Sequence, residues 1–372
     1  MGRTLNVHLI PHSHTDPGWL NTMNDYYGRE VKPILSAVMA QLEISHNRTF
    51  AWSETCFFAR WFAEQSSRRQ ALVRRLIDDG RFEFVGGGWV QHDEGLPTIG
   101  AMLEQMAEGH LWLNETFGVR PSIGWQLDPF GHTASSTALL GRMGMQAVVI
   151  NRIHFGLKAS WRSRRALEYQ WRGVAPCLKW GDVLTHVLSN HYSTPKGLDF
   201  EGAGDNTRPD SRKADTLRAV ALERGDAYRT DQLMILVGDD FRWRKAELMY
   251  KAWDKIIADV NSRRAGGRSV HVKWSTPSAY FAAVAVTLQA GAAAVEQPHR
   301  APLLPMYAGD LMPYADNKES FCMHHIDAAA PTLQLSRALL SAPLLACARV
   351  SACSDFVTVR ALDGDRDRLL CD

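Results

Sequence analysis

Short apolar runs alternate with longer amphipathic segments along most of the chain. The run Leu5–Ile10 has the length of a strand, and Val31–Leu42 has its apolar residues at the spacing of one helical face. Strands that alternate with helices form a mainly parallel sheet, either open or closed into a barrel. The same pattern predicts strands at Thr49–Trp52, Phe82–Val85, Ser122–Leu127, Ala147–Ile150, Leu184–Leu188, Leu233–Val237 and Val270–Trp274, and helices at Phe57–Ile77, Gly100–Phe117, Thr133–Met143 and Arg244–Val260.

Two stretches depart from this alternation. Pro195–Asp231 is less regular, and its polar, glycine-rich part Gly197–Asp210 predicts a long loop near the functional site. All 12 tryptophans lie between Trp19 and Trp274, whereas four of the six cysteines follow residue 320. The composition therefore changes near residues 275–320.

Composition and charge exclude several classes of protein. The chain of 372 residues is 45% hydrophobic, which is enough to bury a core, and its net charge is only +2. That balance does not favour binding to nucleic acid or to an anionic membrane. No apolar run is long enough to span a bilayer, and we expect no signal peptide at the N-terminus. The oligomeric state is not determined by these features.

Polar residues follow the predicted strands, and this is the strongest functional signal. In parallel α/β folds the carboxyl ends of the strands share one edge, where active sites form. We therefore expect one shared polar site at that edge. The residues that follow the strands are His12–Asp16, Ser53-Glu54, Gly86–Trp89 with Asp93-Glu94, Asp128–His132, Asn151-Arg152, Asn190-His191-Tyr192 and Gly238-Asp239-Asp240.

The first of these segments predicts a metal site. Side chains two residues apart in an extended segment point the same way, so His14 and Asp16 can bind one ion, with His12 in support. Imidazole with carboxylate suits zinc. The alternative is a turn in which the histidine is satisfied by ordinary hydrogen bonds, because two ligands do not make a site.

Two acidic positions have the form of a glycosidase pair. Asp128 ends an apolar strand, where a carboxylate is functional or caps a helix. Asp239 and Asp240 follow another strand, and neighbouring carboxylates raise one pKa, which favours a general acid. Capping of the helix that starts at Arg244 is the alternative for this pair. One acid from each strand end would make the dyad.

The side chains around these acids suit a carbohydrate. Arg152 follows a strand and can clamp an anion, although a surface ion pair explains it equally well. Trp19, Trp89 and Phe130 lie beside the polar residues, and sugar rings stack on aromatic faces. For most of the other tryptophans, packing in the core is the simpler explanation.

Six motifs in this order resemble glycoside hydrolase family 38, the class II α-mannosidases of the Golgi and lysosome. The resemblance covers about residues 5–320. It implies a seven-stranded parallel β/α barrel, followed in the family by a helical bundle and large β-sandwich domains. The motifs are PHSHTDPGW at 11–19, WSE at 52–54, GGWVQHDE at 87–94, WQLDPFGH at 125–132, NRIHF at 151–155 and GDDFRW at 238–243.

The resemblance also implies roles for individual residues. His14 and Asp16 match zinc ligands, and Asp128 matches the nucleophile, which also binds zinc. Asp240 matches the general acid/base of a retaining mechanism in which zinc holds the 2- and 3-hydroxyls of the mannose. The residues that line the substrate site by this comparison are Trp19, Phe130, Arg152, Tyr192 and Asp239.

The chain departs from the family after Asp316. The family takes another zinc ligand from a downstream His-His-Asp motif, and the nearest match here is His324-His325-Ile326-Asp327. Either His325 is that ligand, brought nearer by a deletion, or the segment 317–372 is a divergent, mostly helical tail. We favour the second, with residues 1–316 as the catalytic barrel domain. We then expect His325 to lie more than about 6 Å from the metal centre, and the isolated chain to bind zinc weakly and hydrolyse little.

Three classes of function follow from these observations. The first is a zinc-dependent retaining α-mannosidase that removes terminal α-mannosyl residues from N-glycans or glycoproteins. The others are a metal-dependent polysaccharide deacetylase on a similar barrel and an inert or glycan-binding fragment of a mannosidase. Deacetylation needs no second carboxylate as acid/base, so the pair of acids argues against a deacetylase. The absence of the family's β-sandwich domains favours the fragment. The family implies a lysosomal, vacuolar or Golgi location.

Overall fold

The computed structural model describes residues 4–173, 182–201, 211–263, 268–293 and 304–320. Within those ranges an α/β fold of ten strands and ten α-helices is formed. The strands are β1 (Leu5–Pro11), β2 (Phe50–Trp52), β3 (Phe82–Phe84), β4 (Ile123–Gln126), β5 (Ala147–Ile150), β6 (Glu168–Arg172), β7 (Val183–Val187), β8 (Gln232–Val237), β9 (Val270–Trp274) and β10 (Met306–Ala308).

The helices separate most of the strands, as the alternation predicts. A π-helical turn at Tyr27–Val31 joins the first two helices. The helices are α1 (Met23–Tyr26), α2 (Lys32–Ile44), α3 (Thr55–Ala63), α4 (Ser67–Asp78), α5 (Ile99–Phe117), α6 (Ala134–Arg142), α7 (Phe155–Ser163), α8 (Ser211–Gly225), α9 (Ala246–Ser262) and α10 (Pro277–Ala293). None of the helices in the described ranges combines the length and the apolarity that a bilayer crossing needs.

The strands form three sheets. Their orders are β8-β1-β9, β10-β6-β7-β5-β4 and β2-β3, and every pair is parallel except β6 with β7. The predicted seven-stranded parallel barrel is therefore not confirmed as such. The antiparallel pair has a physical reason, because only residues 173–182 join β6 to β7. A parallel crossover needs about a dozen residues or more.

One predicted helix is in fact two. The pattern predicts a single helix over Phe57–Ile77, but α3 ends at Ala63 and α4 begins at Ser67. The hydroxyl of Ser66 accepts a hydrogen bond from the backbone N–H of Arg69, which caps the new helix. Apolar periodicity continues through the break because both helices bury a face in the same core, so periodicity alone does not reveal it.

Several elements lie where the sequence pattern predicts none. They are α1, α7, β6, α8, α10 and β10. Helix α8 occupies much of the segment Pro195–Asp231, while residues 202–210 of the predicted loop lie outside the described residues. Helix α10 escapes the pattern because its apolar residues are spread over all its sides, so it lacks an amphipathic stripe. Of the predicted helical tail, only residues 317–320 are described.

The buried apolar residues form two clusters, one on each side of the strands. Alternate side chains of β1 point to opposite sides, so Val7 and Leu9 pack against the outer helices while Ile10 faces inward. The inner cluster joins Ile10 to Trp125 and Leu236, and Tyr280 of α10 closes it. This double burial holds the carboxyl ends of the strands in fixed positions.

Helix α5 passes unusually close to the glycine-rich segment after β3. A Cβ added to Gly109 would collide with the carbonyl oxygen of Gly87 and lie 2.6 Å from the backbone nitrogen of Trp89. We expect Gly109→Ala to lower the free energy of unfolding by about 1–3 kcal/mol, because backbone cannot move aside as a side chain can. Chemical denaturation measures this.

The matched control lies in the first turn of the same helix. A Cβ at Gly100 meets only the hydroxyl of Thr98, at 4.0 Å. Gly100→Ala should therefore raise the free energy of unfolding by about 0.5–1 kcal/mol, the usual gain for alanine in a helix. Equal effects of the two substitutions would show that α5 does not pack as described.

Candidate active site

The polar residues after five strands converge on one site, as the sequence predicts. His14 follows β1, Asp128 follows β4 and Arg152 follows β5. Tyr192 follows β7 and Asp240 follows β8. Contacts among these five side chains, which come from distant parts of the chain, define the candidate site.

His14 and Asp16 lie together, as their spacing predicts. The Nε2 atom of His14 is 3.3 Å from Oδ1 of Asp16 and 3.8 Å from Oδ2 of Asp128. His14 is buried, and its Nε2 has no well-formed hydrogen bond. Burial alone would lower the pKa of His14, but Asp16, Glu54 and Asp128 raise it to about 9. The pocket around Nε2 is therefore strongly negative and suits a cation.

His12 does not join this pair. Its Nε2 is 2.9 Å from the backbone oxygen of Tyr192, so the ring anchors the loop after β7. Burial lowers the pKa of His12 to about 4, which keeps the ring neutral. Its support for the site is therefore indirect, through the placement of Tyr192.

The carboxylate of Asp128 is held in one orientation by Arg152. Two guanidinium nitrogens, Nε and Nη2, donate to Oδ1 of Asp128 at 2.8 and 2.5 Å. The other oxygen, Oδ2, faces His14. Asp128 is thus paired with a cation rather than capping a helix, and the alternative of an N-cap is not what the structure has.

Tyr192 connects the two acids of the predicted pair. Its hydroxyl lies 3.2 Å from Oδ1 of Asp128 and 2.9 Å from Oδ1 of Asp240, so these oxygens are at most about 6 Å apart. A phenol carries one hydrogen and donates it to one partner at a time. Burial, reinforced by the two acids, raises the pKa of Tyr192 well above its ordinary value. The hydroxyl therefore stays protonated.

Asp240 is set in place by the strand beside it. The backbone N–H of His14 donates to the carbonyl of Asp239, and the N–H of Phe241 donates to the carbonyl of His14. Burial raises the pKa of Asp240, and Asp239 and Asp128 add to that effect while His14 and Tyr192 oppose it. The Asp239 carboxylate turns back to accept the N–H of Asp240. A raised pKa suits a general acid.

The sequence assigns no role to two further residues at the site. Glu54 is 1% exposed, accepts a hydrogen bond from Thr15 at 2.9 Å, and has its pKa raised to about 7, chiefly by burial. Tyr314 accepts a hydrogen bond from Arg152 at 3.4 Å and donates to Asp316. Glu54 is recognisable as an acid at a strand end, but no sequence signal connects Tyr314 with Arg152.

The predicted aromatic residues differ in their surroundings. The guanidinium carbon of Arg152 lies 4.4 Å from the ring centre of Phe130, which places Phe130 in the site. Trp19 lies at the surface with 62% of the residue exposed, so its ring is open to a ligand rather than packed in the core. His324 and His325 lie outside the described residues.

The described residues contain no group of three or more histidine, cysteine, aspartate or glutamate side chains already set up to hold a metal ion. The nearest arrangement is His14 with Asp16 and Asp128. Donors at about 2.0–2.2 Å from a tetrahedral zinc lie roughly 3.3–3.6 Å from each other. The separations of 3.3 and 3.8 Å from Nε2 of His14 are close to these values.

Comparison with known proteins places the chain in a family. The profile of the glycosyl hydrolases family 38 N-terminal domain matches residues 4–317. The lysosomal alpha-mannosidase of Cavia porcellus is 35% identical over 339 residues, which is 85% of this chain and 32% of that protein. The human lysosomal alpha-mannosidase is 36% identical over 299 residues, which is 74% of this chain and 30% of that protein.

Other relatives give the same result. Alpha-mannosidase F of Dictyostelium discoideum is 34% identical and aligns with 74% of this chain and 28% of its own. An alpha-mannosidase structure from Enterococcus faecalis has a TM-score of 0.62 at 17% identity and covers 83% of this chain and 31% of that one, which supports the fold. The chain thus spans about a third of the length of the curated relatives it matches. It belongs to glycosyl hydrolase family 38, within the region of that family's N-terminal domain.

Proposed function

We propose that this chain is the catalytic region of a zinc-dependent retaining α-mannosidase that acts on terminal α-mannosyl residues of N-glycans or glycoproteins. The observation that carries the proposal is the bridge of Tyr192 between Asp128 and Asp240. Its two contacts limit the separation of the Oδ1 atoms to about 6 Å. Retaining glycosidases hold their two carboxyl groups roughly 5–5.5 Å apart, and inverting enzymes roughly 6.5–9.5 Å apart.

In this mechanism Asp128 is the nucleophile and Asp240 the acid/base. The carboxylate of Asp128 bonds to the anomeric carbon while the glycosidic C–O bond breaks and Asp240 gives its proton to the departing oxygen. Asp240 then takes a proton from water, whose oxygen displaces Asp128 from the same carbon. Two inversions retain the α configuration. Arg152 and Tyr192 keep the nucleophile aimed, since both bind its Oδ1.

The residues of the site fit zinc. His14, Asp16 and Asp128 would hold it, because a buried imidazole nitrogen without a good hydrogen bond faces two carboxylates. When bound, zinc would supply a Lewis acid that holds two sugar hydroxyls and helps to distort the ring. The sequence offers His325 as the match to a further family ligand, and this residue lies outside the described part of the chain.

The substrate would occupy the space beside these residues. We assign Phe130 and Trp19 to aromatic contacts with the mannose ring, and Tyr192, Arg152 and Asp239 to polar contacts. Phe130 is supported by its position against Arg152, and Trp19 by its exposure. The mannose-containing oligosaccharide is the proposed partner, and a lysosomal location is supported by the names of two relatives, whereas a vacuolar or Golgi location rests on the family resemblance alone.

A barrel of seven parallel strands, within a catalytic domain of residues 1–316, remains part of the proposal. A parallel bridge between His12 and Ala51 links β1 to β2, and the N–H of Gly86 donates to Ile123 at the start of β4. The N–H of Thr194 donates to Gly238, which brings the loops after β7 and β8 together. These contacts support closure through β8, β1, β2, β3, β4, β5 and β7.

The direct test of the proposal is hydrolysis of 4-nitrophenyl α-mannoside by the purified chain, with and without a chelator. We expect slow release of nitrophenol that the chelator stops and added zinc restores, because the site needs its cation to bind the sugar. The β-mannoside is the control and should not be cleaved. Absence of α-specific release at every zinc concentration would favour the inert fragment, and release that ignores the chelator would exclude the zinc mechanism.

A further inference from the structure

The loop that carries Asp240 has a backbone conformation that its residues disfavour. We define the acid loop as residues 238–245. Phe241 and Trp243 in this loop have φ values of 51° and 84°. Residues with a Cβ rarely occupy this left-handed region, because the side chain approaches the backbone carbonyl. Such conformations persist only where surrounding contacts hold them, and they gather at functional sites.

Glu201 holds the C-terminal part of the acid loop, at Trp243 and Lys245. Its Oε2 accepts the backbone N–H of Trp243 at 2.5 Å, and its Oε1 accepts the N–H of Lys245 at 2.9 Å. Glu201 is only 8% exposed, so these charge-assisted bonds form away from bulk water, where they are strong. Both oxygens of one carboxylate thus bind two backbone groups that flank Arg244.

Glu201 also replaces a local helix cap. Helix α9 begins just after the acid loop, and its N-cap residue Lys245 makes no side-chain hydrogen bond to the first turn. An acid near the start of a helix is favoured by the unpaired N–H groups and the helix dipole. The cap here comes from 44 residues upstream, so the start of α9 and the shape of the acid loop depend on the same carboxylate.

Other contacts hold the rest of the loop, including ion pairs of Arg242 with Asp199 at 3.2 Å and of Arg244 with Glu30 at 3.0 Å. His14 pairs with the backbone at Asp239 and Phe241, which fixes the side that faces the site. The Phe241 ring stacks on Tyr26 with centres 4.5 Å apart. The indole N–H of Trp243 donates to Val237 at 2.9 Å. The two His14 bonds flank Asp240, and the Glu201 bonds at Trp243 and Lys245 hold the backbone that follows, so Glu201 acts on Asp240 through that backbone.

We infer that Glu201 is a positioning residue for Asp240. Its carboxylate keeps Trp243 in the left-handed conformation, and through the backbone at Phe241 and Arg242 this directs the Asp240 carboxyl toward Tyr192 and Asp128. The inference rests on the proposed function only where it takes Asp240 as the acid/base. Whether Glu201 holds the acid loop does not depend on the proposed function, and it is tested separately.

The first experiment uses amide hydrogen exchange with mass spectrometry to measure how strongly Glu201 protects the backbone of the acid loop. Glu201→Ala should raise exchange in peptides covering residues 239–248 by about tenfold or more, because two backbone N–H groups lose their acceptor. Glu201→Gln keeps one acceptor oxygen and should show a smaller rise. The control is Glu83→Ala, since Glu83 accepts the N–H of Ser278 with both oxygens, at 3.2 and 3.1 Å, at the start of α10.

The second experiment measures the placement of Asp240 through the leaving group. A poor leaving group needs a proton from the acid, whereas dinitrophenolate leaves without one. Glu201→Ala should lower kcat/KM on a methylumbelliferyl α-mannoside roughly 10- to 100-fold and kcat/KM on the dinitrophenyl glycoside by under about threefold, because kcat/KM reports only the formation of the glycosyl-enzyme. Glu83→Ala should leave the ratio of the two kcat/KM values unchanged.

The outcomes separate the inference from the proposed function. Unchanged exchange of the acid loop in Glu201→Ala would overturn the inference whatever the activity. Equal loss of kcat/KM on both glycosides would also overturn it, since Glu201 would then support the fold in general rather than the acid. If Glu201→Ala exchanges faster in the acid loop while the wild-type chain cleaves neither glycoside, the role of Glu201 in holding the loop is supported. The mannosidase proposal is then refuted.

Discussion

Asp128→Asn is expected to abolish hydrolysis of α-mannosides while the fold is retained. An amide has nearly the shape of the carboxylate but cannot form a glycosyl-enzyme. Removal of a nucleophile from a cooperating site costs on the order of 10⁴-fold or more in kcat, which is about 5 kcal/mol of transition-state stabilisation. A dinitrophenyl α-mannoside at high enzyme concentration gives the most sensitive assay.

The assay must separate loss of the nucleophile from loss of a zinc ligand, because Asp128 is proposed for both roles. Excess zinc should restore part of the activity of His14→Ala, whose only proposed role is as a ligand, but none of the activity of Asp128→Asn. A fluorinated mannosyl fluoride that leaves a slowly hydrolysed intermediate should label wild-type Asp128. A label found elsewhere, or full turnover by Asp128→Asn, would exclude Asp128 as the nucleophile.

The matched control for this substitution is Asp254→Asn. Asp254 accepts two hydrogen bonds from Arg48, at 3.1 and 2.7 Å, and one from the indole of Trp274 at 2.8 Å. Its chemistry therefore resembles that of Asp128 with Arg152 and Tyr192, but it lies on α9 outside the site. We expect Asp254→Asn to lower stability by about 1–3 kcal/mol without the loss of activity.

Asp240→Asn is expected to give the second largest effect, and one that depends on the substrate. Loss of a general acid/base costs about 10²–10⁴-fold, so cleavage of the nitrophenyl glycoside should fall by that factor. Formation of the glycosyl-enzyme from the dinitrophenyl glycoside should survive, because that leaving group needs no proton. Its hydrolysis should still be slow, since no base activates the water, and a burst of dinitrophenol should precede a slow steady state.

Azide supplies a decisive check on this assignment. It is a nucleophile that needs no base, so it should restore turnover of the dinitrophenyl glycoside by Asp240→Asn. The product should be α-mannosyl azide, because azide displaces Asp128 from the same face that water uses. A β-mannosyl azide would contradict the retaining mechanism, and equal loss on all leaving groups without rescue would remove Asp240 from the role of acid/base.

The elements that the sequence predicts correctly are those with a local signal. Strands β5 and β9 and the extent of α5 follow from the spacing of apolar residues and from Gly118, whose φ of 71° ends the helix. The break between α3 and α4 escapes the pattern because both helices bury a face in the same core, and α10 escapes it because its apolar residues form no single stripe. The antiparallel turn of β6 against β7 likewise depends on the length of a connection rather than on either strand.

The position of the site follows from the sequence because the rule that locates it is local. A polar residue after an apolar strand lies at the carboxyl edge, wherever the strand stands in the sheet, so His14, Asp128 and Asp240 are recognisable one by one. The same rule marks Glu54 as an acid at a strand end. It cannot say which of these groups touch.

By itself, the sequence determined an α/β fold, a polar edge, the family and the residues to examine. Only the tertiary structure decided that Arg152 and Tyr192 share one oxygen of Asp128, and that Glu201 grips the loop of Asp240. The reason is physical. Alternation, caps and strand ends are set by neighbours in the chain, whereas these contacts join residues 24 to 64 positions apart and depend on how the helices and strands pack.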